Sequence, residues 1–190
     1  MRLFIAVELD DVVRRSAAAV AERLDQEFRR GNARRSVTWV AQQNLHLTLR
    51  FLGEVDASRA NGVIARLTPP FATSRFDIAV AGVGAFPPSG PPRVIWMGVT
   101  DGARALVALH HEVETRLDGL GFEREDRPFR AHLTIGRVKA PLGSRAQGVL
   151  SSLPPTEVGR CQVGHVTLFE SRLSPKGPTY SAVMTSVLAR

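Results

Sequence analysis

An α+β fold built from one repeated unit is what this sequence predicts, and three observations carry that expectation. Apolar residues alternate in short runs and recur every third or fourth residue in longer ones, so strands and helices interleave along the chain. The order strand, helix, strand occurs in each half. The later strand carries one pattern twice, His46-Leu47-Thr48-Leu49 and His132-Leu133-Thr134-Ile135, 86 positions apart. At 190 residues, 44% hydrophobic and 23% charged, the chain has the length of one domain and enough apolar residues for a core. Residues 1-190 are therefore read as a single bilobal domain with one motif per lobe, at 46-49 and 132-135, and with the two polar strand faces meeting across a cleft.

Arg2 to Leu9 alternates as a half-buried strand, with Leu3, Ile5, Val7 and Leu9 in phase. Asp10 can cap the helix that follows, whose apolar stripe is Val13, Ala17, Val20, Leu24 and Phe28, ending at Gly31. Val37 to Val40 and Leu45 to Leu52 read as strands. In the second, Leu45, Leu47 and Leu49 share one face and His46, Thr48 and Arg50 the other. Ser58 to Leu67 is a helix stopped by Pro69-Pro70. Arg75 to Ala85 and Arg93 to Val99 are strands around the proline-rich loop 86-92. Asp101 opens a second long helix with Leu106, Leu109, Val113, Leu117 and Leu120 inward and Gly121 at its end. Phe129 to Val138 returns to strand, Gln147 to Leu150 is a short helix, and Val158 to Phe169 and Tyr180 to Leu188 are closing strands.

Composition excludes several classes. No window approaches the roughly 18 to 20 apolar residues of a membrane span. The run Leu3 to Val7 meets Glu8, Asp10 and Asp11, unlike a signal peptide, so a cytoplasmic protein is expected. Cys161 is the only cysteine, which rules out an internal disulfide and a cysteine-rich zinc site. The net charge of +7 favours a polyanionic partner, nucleic acid first. Only Lys139 and Lys176 among the 25 basic residues are lysine, so a compositional bias toward arginine is the alternative origin of that charge.

A histidine two residues from a threonine on a strand puts an imidazole and a hydroxyl side by side on one face. One such pair reads most simply as packing. Two pairs at matching places supply an acid and a base on opposite sides of a bound group, as in-line displacement at phosphorus requires, with Thr48, Thr134 and an arginine on the non-bridging oxygens. A third copy, His165-Val166-Thr167-Leu168, is assigned to structure, because two histidines suffice. His110 and His111 on the second long helix are likewise structural. No metal-ligand cluster stands at the required spacing, so neither metal nor cofactor is expected.

The stretches Asn44-Leu45-His46-Leu47-Thr48-Leu49-Arg50-Phe51-Leu52-Gly53-Glu54 and Arg127-Pro128-Phe129-Arg130-Ala131-His132-Leu133-Thr134-Ile135-Gly136-Arg137 resemble the paired signatures of the LigT-like RNA 2′,3′-cyclic phosphodiesterases, also called ThpR, of the two-histidine phosphoesterase superfamily. Arg2 to Val7, Val94 to Gly98 and Leu168 to Leu173 also fit, so the resemblance covers most of the chain. Ala131 departs from it, since members commonly carry Pro before the second histidine. The resemblance implies a bilobal fold, with two small antiparallel sheets lining a central cleft and helices outside. It further implies hydrolysis of an RNA 2′,3′-cyclic phosphate end to a 2′-phosphate, with His46 as proton donor and His132 as proton acceptor. The motifs alone are too symmetric to separate those roles.

Among the arginines, Arg130 is in phase with His132 and Thr134 and is the first candidate phosphate ligand. Arg137 matches a family position, although parity sends it to the opposite face unless a bulge intervenes. Arg50 shares the face of His46. Phe51 or Phe129 could stack a base. The competing readings are a 2′–5′ RNA ligase using the same residues, and an RNA-binding module without turnover. The partner in each is RNA, and no membrane is involved. The sequence does not determine the oligomeric state, for which a monomer is the default expectation.

Overall fold

The computed structural model describes residues 1-30, 36-123, 125, 127-142, 144-153, 157-175 and 177-190. Strand β1 (Arg2–Glu8) alternates as expected and leads into helix α1 (Asp11–Arg30), where the Asp10 carboxylate accepts from the Val13 amide at 2.8 Å and so caps the first turn. Gly31, the expected helix stop, lies outside the described residues. Next come β2 (Val37–Trp39), a single 3₁₀ turn at 42-44, and β3 (His46–Glu54). Helix α2 (Ala57–Leu67) is capped by Asp56, which accepts from the Arg59 amide at 2.9 Å. Strands β4 (Phe71–Ser74), β5 (Phe76–Phe86) and β6 (Val94–Asp101) follow.

The second long helix, α3 (Ala103–Leu117), starts later than expected. Asp101 ends β6 rather than opening the helix, and its side chain accepts from the amide of Gly102, which takes a left-handed φ of 72°. Leu120 and Gly121 fall beyond the helix end. The chain closes with β7 (His132–Val138), α4 (Ser144–Ser152), β8 (Glu157–Val163), β9 (His165–Ser174) and β10 (Gly177–Ala189). The run expected as one strand from Val158 to Phe169 is thus two strands broken at Gly164, which go to different places: β8 pairs with β5, and β9 pairs with β1 and β10.

Among the described residues the strands form one ten-stranded mixed sheet in the order β4-β10-β9-β1-β3-β7-β6-β5-β8, with β2 paired to β7 off that path. All pairings are antiparallel except β4 with β10. Two separate small sheets were the expectation. The two groups of strands are instead joined through β3 and β7, which pair at one position only, Leu47 opposite Leu133. Beyond it β2 takes over the β7 edge, with Val37 opposite Val138 and Trp39 opposite Gly136. β9 returns from the C-terminal end to pair with β1 and brings β10 beside it, so the groups do not follow the two halves of the sequence.

Each long helix packs over the strand group it does not come from. α1 follows β1 yet lies on β8, where Gly159 is required because a Cβ there would stand 2.9 Å from Val13 Cγ2. α3 follows β6 yet lies on β3 and β4. His110, buried in α3, donates to the Leu49 carbonyl at 3.0 Å and stacks at 4.4 Å on Phe129, which packs half-buried against the core, so both rings are engaged in packing. From the same helix, Glu112 accepts from the Ala72 and Thr73 amides, and the Arg116 guanidinium covers the Phe71 ring at 3.8 Å.

The core between sheet and helices holds Leu3, Ile5, Val7, Leu47, Leu49, Leu133 and Ile135. Leu133 is 0% exposed where the strand groups join. Truncating it to alanine should cost about 2–5 kcal/mol, with a matching fall in the urea midpoint at unchanged slope. A loss below about 1 kcal/mol would show that the join is not held by this contact.

Candidate active site

Antiparallel pairing at Leu47 and Leu133 arranges the two motifs head to tail. Both leucines point into the core, so His46 and Thr48 on β3, and His132 and Thr134 on β7, point to the other face. Antiparallel register then sets His46 level with Thr134 and Thr48 level with His132. Each imidazole has the other motif's hydroxyl across from it.

Both rings are held in the same way. His46 Nδ1 lies 2.7 Å from the Asn44 carbonyl, and His132 Nδ1 lies 2.7 Å from the Arg130 carbonyl. A carbonyl only accepts, so each Nδ1 carries a proton. Each Nε2 is then a bare acceptor in the neutral ring and a donor in the imidazolium, free to work on a ligand. Among the described residues neither Nε2 has a protein hydrogen-bond partner.

Aromatic side chains surround the rings. His46 lies over Phe4 at 4.8 Å and meets the Tyr180 ring edge-on at 5.4 Å. His132 meets Phe86 edge-on at 5.2 Å, and Phe86 packs on Trp96 at 5.0 Å. Burial is the main reason that the His46 pKa falls below the usual histidine value; the Asn44 carbonyl opposes it, Arg137 adds to it, and Glu8 opposes it. Burial likewise pushes the Tyr180 hydroxyl up, against the pull of Arg137 and Arg2.

A β-bulge follows each motif and decides which next residue joins the site. In β3 the register with β1 shifts between Ala6–Thr48 and Ile5–Arg50, leaving Leu49 as the extra residue. Arg50 is therefore turned into the core, only 5% exposed, and does not share the His46 face as simple alternation expects. Its guanidinium pairs with Glu114 and Glu125, each at 3.0 Å, and donates to the Glu123 carbonyl. Phe51 instead comes to the site face opposite Phe4, 52% exposed, with ring centroids 5.9 Å apart.

In β7 the register with β6 shifts between Trp96–Thr134 and Ile95–Gly136, leaving Ile135 as the extra residue. This is the bulge that brings Arg137 round to the site face, where its charge acts on both His46 and Tyr180. Gly136 accommodates the bulge, since a Cβ there would stand 2.9 Å from the Trp39 ring. Phe51 and Arg137 thus occupy the same place, five residues after their histidines.

Arg130 does not follow the strand phase assumed for it, because β7 begins only at His132. Its carbonyl orients the second histidine and its side chain is exposed. Sequence reasoning passed over Glu8, Phe4 and Tyr180. The first two lie on the unread face of β1, and alternation with Leu3, Ile5 and Val7 already implied that face. The third histidine-threonine pair is on β9 beside this site: Glu8 accepts from Thr167 Oγ1 at 2.9 Å and lies 3.3 Å from His165 Nε2. Among the described residues no group of three or more His, Cys, Asp or Glu side chains is placed to hold a metal ion, and no helix is long and apolar enough to cross a membrane.

Two tethered imidazoles with Nε2 atoms unpartnered among the described residues, two hydroxyls and a guanidinium on one sheet face are the groups that acid–base chemistry at an anionic group requires. The comparisons make the class specific: this chain belongs to the LigT-like phosphoesterase family, whose model matches residues 12-96 and 98-180, one motif in each stretch. It is 37% identical to an RNA 2′,3′-cyclic phosphodiesterase of Archaeoglobus fulgidus, over 95% of this chain and 96% of that one. It is 35% identical to an RNA 2′,3′-cyclic phosphodiesterase of Thermotoga maritima, over 96% and 93%. Among solved structures, a Thermus thermophilus protein superposes with a TM-score of 0.81 at 28% identity, over 98% of this chain and 97% of that one. The Escherichia coli LigT complexed with 3′-AMP shares the fold, with a TM-score of 0.76 at 24% identity over 100% and 98%.

Replacing Arg137 by glutamine removes a positive charge that disfavours the His46 imidazolium, so His46 should titrate at higher pH than in the parent protein. NMR titration of the His46 ring resonances reads this directly. An unchanged or lowered midpoint would mean that Arg137 does not face His46.

Proposed function

We propose that this chain hydrolyses the 2′,3′-cyclic phosphate at an RNA end to a 2′-phosphate and a 3′-hydroxyl, without a metal ion or cofactor. The observation that carries the reading is the reciprocal arrangement of His46 and His132, each with Nδ1 on a carbonyl and Nε2 free. His132 Nε2 takes a proton from water as its oxygen attacks phosphorus. The bond from phosphorus to the 3′-oxygen breaks in line, and the protonated His46 gives its Nε2 proton to that oxygen. Thr48, Thr134 and Arg137 bind the non-bridging oxygens, and Arg130 at the mouth of β7 adds positive charge for the RNA backbone. Phe51 offers an exposed ring on which a base can stack. The +7 net charge suits a polyanionic substrate.

The deciding experiment is product analysis with a short RNA ending in a 2′,3′-cyclic phosphate. A 2′-phosphate is expected; a 3′-phosphate would mean the opposite orientation, a 2′–5′ junction would identify ligation, and binding without turnover would leave only an RNA-binding role. His46→Ala and His132→Ala should each lower kcat about 10²–10⁴-fold with the fold intact, whereas His165→Ala should be mild. A bridging sulfur at the 3′ position, a leaving group needing no proton, should rescue His46→Ala and not His132→Ala. The reverse result exchanges the roles.

Chelation gives an independent check. Overnight EDTA treatment and assay in metal-free buffer should leave the rate unchanged, because two imidazoles perform both proton transfers. A loss restored by a divalent ion would overturn the reading.

A further inference from the structure

The third histidine-threonine pair has no part in the two-histidine reaction, yet the fold returns it to the neighbourhood of His46. Strand β1 lies between β3 and β9. On the site face of β1, Glu8 is the register partner of His46 on one side. On the other side its Oε2 accepts from Thr167 Oγ1 at 2.9 Å and lies 3.3 Å from His165 Nε2. Thr167 is fully buried and is 3.2 Å from Thr185 Oγ1 on β10, so the hydroxyl that holds Glu8 is itself fixed from the next strand.

We infer that Glu8 is a positioning residue for His46, and that the His165–Thr167 pair exists to fix its carboxylate beside the first histidine. The inference rests on the reading of His46 as proton donor, and it names the group that favours the charged ring against burial and Arg137. Around His46, Arg137 from β7 opposes the charged ring, Tyr180 from β10, Phe4 from β1 and Phe169 from β9 pack against it, the Asn44 carbonyl binds Nδ1, and Glu8 is the carboxylate that acts on it among the described residues. On its far side Glu8 faces His165, which forms an ion pair with it when protonated. Fixing the carboxylate matters because a free side chain would turn toward Arg137 or solvent, and its field at His46 would fall with distance and screening. A hydroxyl donor from a buried residue leaves the second carboxylate oxygen available and adds no competing charge.

The test is Glu8→Gln, which keeps an acceptor oxygen for Thr167 and removes only the charge. His46 should titrate at lower pH by NMR. The deficit in kcat/KM should grow as pH rises, to as much as about tenfold above the optimum, and should shrink toward acid, where His46 is protonated again. A merely structural role would leave the His46 midpoint in place and lower activity equally at all pH values. Thr167→Val should move the His46 midpoint in the same direction by less, and should add nothing in the Glu8→Gln background, since it acts through that carboxylate. An unchanged His46 midpoint in Glu8→Gln, or full additivity of the two variants, overturns the inference. A midpoint that moves while the kcat/KM ratio stays flat with pH upholds it and removes His46 from the proton-donor role instead.

Discussion

The site depends on one backbone pairing, Leu47 opposite Leu133. Among the described residues β3 and β7 pair in register at no other position, so that pairing sets the two motifs against each other. Its consequences follow from strand geometry. With both leucines buried, a slip of one residue in either strand would send a histidine and a threonine into the core and a leucine to the surface. A slip of two would break the alignment of each imidazole with the opposite hydroxyl. β2 then occupies the β7 edge beyond the join, with Val40 donating to the Ile135 carbonyl at 2.9 Å, so β3 cannot extend its pairing into a second register. A short join closed off by a third strand specifies the site more tightly than a long ladder free to slide.

The bulges after the motifs extend the same logic to the second layer of the site. The inward residue of each bulge is tied to the helix crossing over from the other strand group. In β3 this is Arg50, bound to Glu114 of α3. In β7 it is Gly136, covered by Trp39, whose indole donates to Asp25 of α1 at 2.9 Å. The two solutions differ chemically, a buried guanidinium on one side and a bare backbone under an indole on the other. Both anchor the kink to a helix, and both free the following residue for the site face. The outward residues differ as well, Phe51 in one case and Arg137 in the other, and this breaks the symmetry of the two motifs. On the proposed reading, one side of the reacting group faces a ring suited to a base, the other a charge suited to a phosphate.

What could be read in the sequence was what depends on neighbours in the chain. Alternation placed His46, Thr48, His132 and Thr134 on polar strand faces, the 3.6-residue period found α1 and α3, and Asp10 was a correct cap, because each is decided within a few residues. Arg50 and Arg137 could not be placed by parity, since a bulge is created by the partner strand and by the helix packed on it. The same applies to His165. Its local pattern is that of a third motif, and only the return of β9 to the edge of β1 shows that it reaches Glu8. The break at Gly164 was hidden because the residues on either side, Val163 and His165, both belong to good strand sequences. Arg130 failed for a related reason: the strand was expected from Phe129, yet pairing starts at His132.

The charges around His46 give the arrangement a direction in time. In the free protein, burial and Arg137 both favour the neutral ring; on the proposed reading that form cannot donate the proton that the departing oxygen needs. An arriving phosphodiester carries a negative charge into the same space. It offsets Arg137 and favours the imidazolium, as Glu8 does from β1. On the proposed reading, substrate binding therefore brings its own proton to His46, and the acid is assembled only when there is a bond for it to break. His132, the base on that reading, has its Nδ1 on the Arg130 carbonyl and its Nε2 without a partner among the described residues. Two motifs that are almost identical in sequence would then perform opposite halves of the proton transfer because their surroundings differ, through Glu8 and Tyr180 at one and Phe86 and the open end of β7 at the other.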